Sequence, residues 1–388
     1  MEKKLNADII PILRPDCKIK RSSYNRFIVN VNEREEFIDL DKETGDLLSE
    51  VVLLIDGEKS IKTISKKISQ EKTPTLTSEI EDIINNLFKW GIISILTECH
   101  VPEHKHDKSI IMHQLSNLSS YSSYPSELLK KLERTTVAIV GAKYISPIIF
   151  RSLYLSGIRN FKLIGNHDTS SQELCFFSSP QIKVGIDWIT ALSNEASYLK
   201  FSPDFESILD MDETYLITKF KEIDVLLISI PYIGKELILK LNEICLKTDT
   251  KILFSEIQDS KVIIGPFVKP HETACILCRE LRNIQYYSNI NSLVTKKIID
   301  NSLSGLDSFN IIPVMSVSLL FSLAHMISEY LCMHILDIQS LLINQEHIID
   351  FSKMNISNNF ILKLPRCPAC GYNTVSPEYE YFANYEIK

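Results

Sequence analysis

Two Cys-x-x-Cys pairs place the strongest constraint on how this chain folds. The first pair is Cys275 and Cys278, and the second is Cys367 and Cys370, nearly ninety residues further along the chain. Two such pairs supply four thiolates to a tetrahedral zinc ion, and the spacing lets both sulfurs of one turn reach the metal. The pattern predicts a zinc site that ties the C-terminal region back to the middle of the chain.

The alternatives to a zinc site are two unrelated cysteine pairs or a redox-active pair of the thioredoxin kind. A redox pair is expected where a strand runs into a helix of a βαβ unit, and neither pair has that position in the sequence pattern. Four protein thiolates leave no open coordination position on zinc, so we expect the ion to be structural rather than catalytic.

The composition is that of a globular protein with an acidic balance. Apolar residues make up 45% of the 388 residues, charged residues make up 23%, and the formal net charge is −7. This balance disfavours a general nucleic-acid binder, which carries a basic surface. The apolar run Pro313–Ile335 contains two histidines and a glutamate, so a buried core helix is favoured over a membrane span. Because Met1–Pro15 lacks the pattern of a signal peptide, we expect a cytoplasmic protein without a membrane partner.

Residues 1–96 have the pattern of a small winged helix-turn-helix domain. Three short alternating segments predict strands, and three helical patterns and one more strand follow them. The strands are Cys17–Ser22, Arg26–Val31 and Glu35–Leu40, the helices Thr44–Asp56, Ser60–Ser69 and Thr77–Trp90, and the last strand Ile92–Leu96. Residues 97–133 have weak periodicity and are rich in polar residues, which predicts a linker.

Residues 134–388 alternate strand and helix patterns, as doubly wound α/β domains do. The predicted strands are Thr136–Gly141, Phe161–Ile164, Tyr198–Phe201, Asp224–Ile230, Lys251–Ser255 and Lys261–Val268, and the helices are Ile145–Ser156, Val184–Glu195 and Gly234–Leu246. The fold class is therefore predicted to be α/β, with a mostly parallel sheet that carries the zinc site.

The first strand of this domain meets its helix where nucleotide-binding folds carry a glycine-rich loop. Such a loop needs several glycines so that backbone N–H groups can approach phosphates. Only Gly141 is present here, and Lys143 and Tyr144 add bulk. Lys143 is expected to be a surface lysine, with a phosphate contact as the alternative. The loop is therefore predicted to be degenerate.

These segments resemble the E1-like, or ThiF-type, adenylating fold. Val137–Gly157 followed by Phe161–Ile164 is similar to the first strand–turn–helix and second strand of that fold. In Gly265–Leu281 a Gly-Pro strand leads through a proline turn to the first cysteine pair. This segment resembles the signature of E1-like proteins that work with YcaO enzymes on thiazole/oxazole-modified microcins, called TOMMs. The opening phrase Ile12-Leu-Arg-Pro15 is also similar to theirs.

The resemblance implies a function in the biosynthesis of ribosomally made peptide natural products. In that family the N-terminal winged helix recognises the leader of a precursor peptide. A separate YcaO-type cyclodehydratase then uses ATP to convert Cys, Ser or Thr into azoline rings. We therefore expect this chain to bind the leader and present the peptide to that partner, and a homodimer is a further possibility that the resemblance implies. A self-sufficient E1-like enzyme that adenylates a peptide is the alternative.

Several residues that active E1-like enzymes use for ATP are absent from the corresponding segments. After the second strand only Asp168 is acidic, and it is out of register. Ser171–Phe177 lacks the expected arginine, Ile186 stands near the place of a lysine, and Ile228–Pro231 lacks the magnesium-binding aspartate. Phosphoryl chemistry depends on such charges. We therefore predict that this chain does not bind ATP and is a non-catalytic subunit.

The predicted peptide site lies at the strand Glu35–Leu40, which we expect at the open edge of a three-stranded sheet. An extended peptide can pair with an open edge as an added strand, while apolar side chains select its sequence. We expect Arg26 and Arg34 to steer an acidic leader, and only one or two of the apolar candidates to touch it. The candidates are Phe37, Ile38, Leu40, Ile80, Ile84 and Leu87.

Binding to DNA is the other function that a winged helix suggests. The third helix carries Glu79, Glu81 and Asp82 near its start, where a recognition helix would face phosphates. These acidic residues favour peptide binding over nucleic-acid binding, and a purely structural role is the remaining alternative.

Overall fold

The computed structural model divides the chain into two compact units, Met1–Glu133 and Arg134–Lys388. It describes residues 5–23, 25–31, 34–71, 76–96, 105–140, 145–165, 168–201, 203–208, 212–229, 235–258, 261–284, 317–338 and 341–371. Within these ranges no helix is both long and apolar enough to cross a membrane.

The first unit begins with strands and continues with helices, close to the predicted order. Its elements are β1 Ile10–Leu13, β2 Cys17–Ser23, β3 Arg26–Val31, β4 Arg34–Asp39, α1 Lys42–Leu54, α2 Ile61–Glu71, α3 Leu76–Lys89, β5 Ile93–Leu96, α4 Lys105–Ser119 and α5 Pro125–Arg134. Strand β3 has the predicted bounds, and the bounds of β2, β4 and α1 to α3 differ from the predicted ones by one or two residues. Strand β1 was not predicted.

Two small sheets and three helices enclose the core of this unit. Strand β1 pairs antiparallel with β5, and β2, β3 and β4 form a separate antiparallel sheet in that order. One face of the three-stranded sheet contributes Phe27 and Val29 to the core, where they meet apolar residues of α1, α2 and α3. Strand β4 therefore lies at an edge of its sheet, as the sequence predicted.

The segment predicted to be a linker contains two helices, α4 and α5. Helix α4 buries Ile111, Leu115 and Leu118 on one face, at a helical spacing that the polar composition of the segment conceals. The turn after α4 is held to β5, because Ser94 Oγ donates a hydrogen bond to the Ser122 carbonyl at 3.0 Å. Both helices are therefore folded parts of the chain rather than an irregular linker.

The second unit is an α/β domain with one large sheet. Its elements are β6 Thr136–Val140, α6 Ser146–Ser156, β7 Asn160–Ile164, α7 Trp188–Tyr198, β8 Asp204–Ile208, α8 Glu213–Phe220, β9 Val225–Ser229, α9 Lys235–Thr248, β10 Lys251–Gln258, β11 Lys261–Val268, α10 Ile276–Ile284, α11 Val317–Ile335, β12 Gln345–Asp350 and β13 Asn355–Phe360. The eight strands follow the order β13-β12-β11-β10-β9-β6-β7-β8.

Five strands of this sheet are parallel and three are antiparallel. Strands β8, β7, β6, β9 and β10 run parallel to one another. Strands β11, β12 and β13 continue the sheet antiparallel. Strands β6, β7, β9 and β10 are mostly apolar and buried, as expected for a sheet covered on both faces, whereas the edge strand β8 is buried only at Ile208. A mostly parallel α/β sheet is therefore what the chain forms.

One predicted strand, Tyr198–Phe201, is wrong. Tyr198 is the last residue of α7, and Lys200 has a left-handed backbone with φ of 57° that ends the helix. Phe201 then stacks on Tyr154 of α6 with ring centroids 4.1 Å apart. The alternating pattern Tyr-Leu-Lys-Phe therefore reflects the end of a helix that packs onto α6. The next strand of the sheet is β8, which begins at Asp204.

The apolar run near residue 320 forms a buried helix, as predicted. Helix α11 buries Leu323, Ala324, Ile327 and Leu331, and its contacts are mainly with α6. Helix α8 and strands β12 and β13 were not predicted from the sequence.

Candidate functional site

The four cysteines of the two Cys-x-x-Cys pairs form one buried cluster. Cys275 and Cys278 lie at the start of α10, and Cys367 and Cys370 lie in a turn after β13. Their Sγ atoms all lie within 4.8 Å of one another. Three of the separations are 3.9 Å between Cys275 and Cys278, 3.7 Å between Cys275 and Cys367, and 3.5 Å between Cys278 and Cys370. A tetrahedron with metal–sulfur bonds of about 2.3 Å has edges of about 3.8 Å, so the cluster has the dimensions of a metal site.

Backbone hydrogen bonds hold the turn that carries the second cysteine pair. The Gly371 N–H donates to the Cys367 carbonyl at 2.8 Å, and the Cys367 N–H donates to the Leu364 carbonyl at 3.0 Å. A Cβ on Gly371 would lie 2.6 Å from the Cys367 carbonyl oxygen, so this tight turn requires glycine. The Leu364 N–H also donates to Cys278 Sγ at 3.4 Å. The two pairs are thus held together by direct contacts.

Asparagine side chains hold the segment that carries the first pair. Asn242 Oδ1 of α9 accepts from the Ile276 N–H at 3.0 Å, and Asn344 Oδ1 accepts from the Ala274 N–H at 2.8 Å. These bonds satisfy N–H groups at the start of α10 that have no partner inside the helix. These two asparagines therefore fix the backbone that positions the sulfurs of the first pair.

The electrostatics of the cluster favour thiolates at two of its positions. Hydrogen bonds from the neighbouring thiols, that of Cys275 first, hold the pKa of Cys278 well below its usual range and lower the pKa of Cys367 to about 7. The thiolate is the form of cysteine that binds metals. Four buried sulfurs at these distances have the chemistry and the geometry to hold one metal ion.

A buried arginine that the sequence analysis overlooked joins α10 to the sheet. Arg279 directly follows Cys278, and its guanidinium forms ion pairs with Glu346 of β12, Glu280, and Glu256 of β10. The guanidinium also lies 4.9 Å from the ring centroid of Phe254. A buried arginine needs such partners, because an unpaired buried charge is strongly unfavourable. In the sequence, the only sign that Arg279 joins the helix to the sheet was its position directly after a cysteine pair predicted to bind metal.

The peptide candidates divide between the surface and the core. Phe37 is 59% exposed on the outer face of β4, whereas Ile38 and Leu40 are half-buried against the core. The three candidates on α3, namely Ile80, Ile84 and Leu87, are fully buried in the core of their unit. Phe37 is therefore the candidate whose side chain this structure leaves open to a ligand.

The register of β3 and β4 decides which backbone groups face the open edge. The Leu40 N–H donates to the Asn25 carbonyl at 2.8 Å, and Ile38 pairs with Phe27 in the same register. Because hydrogen-bonding residues alternate along an antiparallel strand, the Ile38 N–H points toward β3 and the Phe37 N–H points to the edge. Phe37 thus offers both its ring and its backbone at the open side of β4.

Arg26 is not a free positive charge beside this edge, contrary to the prediction that it steers an acidic leader. Its Nε and Nη2 atoms donate to the two carboxylate oxygens of Asp39 at 2.7 and 3.0 Å. The same guanidinium lies 5.7 Å from the ring centroid of Phe37. Arg26 therefore supports the Phe37 ring, and Asp39 balances its charge.

The loop predicted to be a degenerate nucleotide loop, with Gly141 and Lys143, lies outside the described residues. Near the expected arginine segment, the structure brings in Arg151 of α6. This arginine donates to Ser178 Oγ at 2.6 Å and to the Phe176 carbonyl at 3.0 Å. Glu195, which is fully buried, accepts from the Ser178 and Ser179 N–H groups. Arg151 Nη2 also lies 3.6 Å from a carboxylate oxygen of Glu195, so these partners hold the guanidinium against the loop.

Comparison with known proteins identifies the fold. No protein-family model and no curated protein sequence matches the chain. A crystal structure of E. coli MccB with ATP matches with a TM-score of 0.60 at 17% identity, over 93% of this chain and 99% of that chain. The structure of the microcin C7 biosynthetic enzyme MccB in complex with N-formylated MccA matches equally, with a TM-score of 0.60, 17% identity and the same coverage.

A second protein shares the fold over part of its own length. The heterocyclase TruD matches with a TM-score of 0.58 at 12% identity, over 94% of this chain and 43% of that chain. At these identities the comparisons establish the fold and leave the activity open. The chain thus has the α/β fold of MccB and TruD, extended over more than nine tenths of its length.

Proposed function

We propose that this chain binds the leader of a ribosomally made precursor peptide and presents the peptide to a YcaO-type cyclodehydratase. The observation that carries the proposal is the fold shared with MccB, which has been solved with MccA bound, and with the heterocyclase TruD. The shared fold covers both units of this chain. It includes the unit that we regard as a winged-helix peptide-recognition element.

The leader binds to the open edge of β4 in this proposal. An added strand pairs with the outward N–H and C=O groups of alternate residues, among them Phe37. Backbone pairing is nearly independent of sequence, so the side chains beside the edge provide the selectivity. The exposed Phe37 ring favours an aromatic or branched aliphatic residue in the leader, because such cross-strand pairs stabilise sheets.

The charged residues of β4 indicate the net charge expected of the leader segment that pairs with this strand. Arg34, Glu35 and Glu36 are exposed on this strand, and Arg26 is paired with Asp39. The strand therefore presents an excess of one negative charge, since the Arg26 and Asp39 charges cancel. Like charges on adjacent strands are unfavourable, so the paired segment of the leader is neutral or basic rather than acidic.

Zinc is the metal that best suits the four-cysteine cluster in this proposal. Cys275, Cys278, Cys367 and Cys370 would hold it as four thiolates, a closed set typical of structural zinc. Bound zinc would neutralise thiolates in a buried place and tie the turn after β13 to α10. The chemistry on the peptide would then belong to the partner cyclodehydratase.

A self-sufficient adenylating enzyme is the second candidate, and one observation favours it. MccB has been solved with ATP and matches this chain along 99% of its own length. Against this candidate stand the missing glycines beside Gly141 and the missing arginine in Ser171–Phe177. In the structure Arg151 reaches that loop, but its hydrogen bonds and its proximity to Glu195 hold it there.

A pair of titrations on the intact protein separates the two candidates. Fluorescein-labelled leader peptides, taken from precursor genes adjacent to the gene of this chain, are titrated by fluorescence anisotropy. ATP with magnesium is titrated by calorimetry on the same preparation. Peptide binding without heat from ATP supports the presenting function, and saturable ATP binding supports the adenylating enzyme. Absence of peptide binding would contradict both.

A further inference from the structure

Strand β13 ends the large sheet and exposes a row of side chains with two large apolar members. Alternate residues of a strand lie on the same face, so Ile356, Asn358 and Phe360 form one row. Ile356 is 59% exposed and Phe360 is 72% exposed. Asn358 pairs with His347 of β12, whose ring accepts or donates a hydrogen bond with Tyr330 of α11, so the row lies on the α11 face of the sheet. Exposed apolar side chains gathered in this way mark an interaction surface.

The backbone of β13 is open along the same residues. Within the described ranges β13 pairs only with β12. The Ile361 N–H donates to the Asn344 carbonyl at 2.7 Å, in the same register as the β12–β13 pairs. Because hydrogen-bonding residues alternate, the N–H and C=O groups of Ile356, Asn358 and Phe360 point away from β12. An added strand would therefore find backbone partners at these three residues.

The open part of this edge is short and has no protection against pairing. Met354, before the strand, has a left-handed backbone with φ of 49°, and after the strand Arg282 Nε donates to the Leu362 carbonyl at 2.9 Å. Proteins block exposed edges with charged side chains, proline or bulges. Asn355–Phe360 has neither a charge nor a proline, and its register with β12 is regular. The composition of β13 is therefore that of a strand with neighbours on both sides.

A second strand pattern follows the second cysteine pair in the sequence. Residues 372–388 lie outside the described residues. Within them, residues 378–387, which we call the alternating segment, have an apolar residue at every second position. These apolar residues are Tyr379, Tyr381, Ala383, Tyr385 and Ile387. The positions between them are acidic or polar, with Phe382 as the exception. Alternation of this kind, rich in tyrosine, predicts a strand with one apolar face.

We propose that the alternating segment adds to β13 of the same chain as a further, antiparallel strand of the large sheet. In this register the outward residues of β13 meet apolar residues of the segment, in the pairs Phe360–Tyr381, Asn358–Ala383 and Ile356–Tyr385. Each tyrosine then packs beside a large apolar side chain, and such cross-strand pairs stabilise sheets. The small Ala383 meets the polar Asn358. A shift by two residues in either direction would place a tyrosine against Asn358 and remove one of the large apolar pairs.

The path of the chain selects the antiparallel direction. The Gly371 N–H donates to the Cys367 carbonyl, and the Cys367 N–H donates to the Leu364 carbonyl, so the cysteine turn returns the chain close to Leu364. Leu364 lies four residues after Phe360, which places it within about 14 Å of that end of β13. Residues 372–380 can span up to about 30 Å. The segment can therefore reach β13 at Phe360 and run back toward Ile356.

The alternating segment has the protective features that β13 lacks. Its second face carries Glu378, Glu380 and Glu386, and Pro377 directly precedes it. Charged side chains and proline on an outermost strand prevent further strands from pairing with it. The segment is thus suited to be the last strand of the sheet, and β13 is suited to lie inside it.

Hydrogen exchange of the intact protein, read by mass spectrometry at the resolution of single residues, tests the proposal. The N–H groups of Ile356, Asn358 and Phe360 should exchange at least about tenfold more slowly than those of an unfolded peptide, because each donates to the segment. Their protection should not depend on protein concentration, since the pairing lies within one chain. An edge without an added strand would leave these three N–H groups unprotected.

Two proline variants one residue apart provide the matched comparison. In the proposed register the Ala383 N–H points toward β13 and the Asn384 N–H points away from it. Ala383→Pro removes a donor from the pairing and should speed exchange at Ile356, Asn358 and Phe360 by about tenfold or more. Asn384→Pro should leave their exchange unchanged, because proline is tolerated where the N–H faces solvent.

A pair of charged variants tests the register itself. Phe360→Lys alone and Tyr381→Glu alone each place a charge against an apolar partner, so each should speed exchange along the row. The double variant opposes a lysine to a glutamate and should recover most of the protection, because opposite charges across two strands attract. Phe360 is exposed in the structure, so Phe360→Lys should leave the rest of the sheet folded.

Four outcomes overturn the proposal. The first is fast exchange at all three N–H groups of the unchanged chain. The second is protection that survives Ala383→Pro or increases with protein concentration, which would assign the edge to another molecule. The third is an equal effect of Ala383→Pro and Asn384→Pro, and the fourth is a double variant no better protected than its parents; either would exclude the register. The inference is independent of the proposed function, because it concerns a surface remote in sequence from β4.

Discussion

The Sγ atoms of Cys275 and Cys367 lie 3.7 Å apart, although 92 residues separate the two cysteines in sequence. This contact joins the start of α10 to the turn that follows β13. The intervening chain contributes α11 and the last two strands of the sheet. A metal ion between the two pairs would thus close a large loop, and such long-range closure constrains the unfolded chain strongly.

The first prediction concerns metal content. Protein purified without added metal should contain about one zinc ion per chain, since four thiolates complete one tetrahedral site. Cys275→Ser should lose the metal and unfold readily, because structural zinc contributes on the order of 10 kcal/mol to folding. Elemental analysis and thermal unfolding measure the two effects. The matched control is Cys175→Ser, at an exposed cysteine outside the cluster. A fully folded protein that contains no metal would contradict the prediction.

The second prediction concerns nucleotide turnover. The isolated chain should neither release phosphate from ATP nor exchange pyrophosphate, with or without peptide. The physical reason is the shortage of positive charge and glycine backbone for a triphosphate in the segments around Gly141 and Ser171–Phe177. Radiolabelled exchange assays measure the activity. Exchange that Asp168→Asn abolishes would identify a working site and favour the adenylating enzyme.

The third prediction is a loss of stability in acid that depends on His334. This residue is 2% exposed, stacks on Phe267 with centroids 4.3 Å apart, and accepts a hydrogen bond from the Leu342 N–H. Burial, with a smaller effect of Lys269, lowers the pKa of His334 to about 4. The unfolded chain, with a histidine pKa of about 6.5, therefore binds more protons between pH 4 and pH 6.5. Stability should fall by up to about 3 kcal/mol as the pH decreases through this window.

Urea unfolding at pH 7 and pH 5 measures this contribution. In His334→Gln the amide oxygen can still accept from Leu342, but the proton linkage of the imidazole is removed. The loss of stability between the two pH values should therefore shrink in the variant. It should not vanish, because burial also lowers the pKa of His347 and of His325. His113→Gln, at an exposed position of α4, should leave the pH dependence unchanged, and an equal effect of both variants would contradict the prediction.

The sequence predicted the elements whose patterns reflect burial on one side. Strands β2 to β4 and helices α1 to α3 carry alternation or an apolar stripe, and the parallel strands other than β8 are largely apolar runs. Strand β13 has no such pattern, because all six of its residues are exposed. Helix α4 was hidden by the polar residues around its three buried positions. An element without a one-sided apolar pattern gives no periodic signal to recognise.

The metal-site candidates were predictable, because the residue type and spacing of the cysteines define them. The peptide-site candidates were less predictable, because packing and strand register decide which groups are exposed. The spacing of the cysteines indicated one shared cluster, and the structure brings all four sulfurs together. The stripe of Ile80, Ile84 and Leu87 is equally compatible with a groove and with a core, and packing against the sheet buries it. The direction of the Ile38 N–H depends on how β3 and β4 pair, which a strand pattern does not reveal.

The fourth prediction tests the exposed aromatic residue of β4. Phe37→Ala should weaken leader binding about tenfold, because it removes the apolar surface beside the edge, and interface aromatics often contribute this much. Stability should change little, since the ring is 59% exposed. Fluorescence anisotropy and thermal unfolding provide the two measurements. Leu53→Ala removes another exposed apolar side chain of the same unit and should not affect binding. Equal losses in both variants would show that Phe37 is not part of the site.

The last prediction uses proline to separate the two sides of β4. Glu35 lies two residues before Phe37, so its N–H also faces the open edge, whereas the Ile38 N–H bonds toward β3. Glu35→Pro removes a donor for the added strand without breaking the sheet, because proline is tolerated where the N–H faces solvent. It should weaken leader binding while the free energy of unfolding changes little. Ile38→Pro removes a hydrogen bond inside the sheet and leaves its acceptor on β3 unpaired, so it should destabilise the unit by about 1–3 kcal/mol even without peptide. Anisotropy titration and urea unfolding of the full chain measure both effects. Unchanged affinity in a folded Glu35→Pro protein would show that the leader does not pair with this edge.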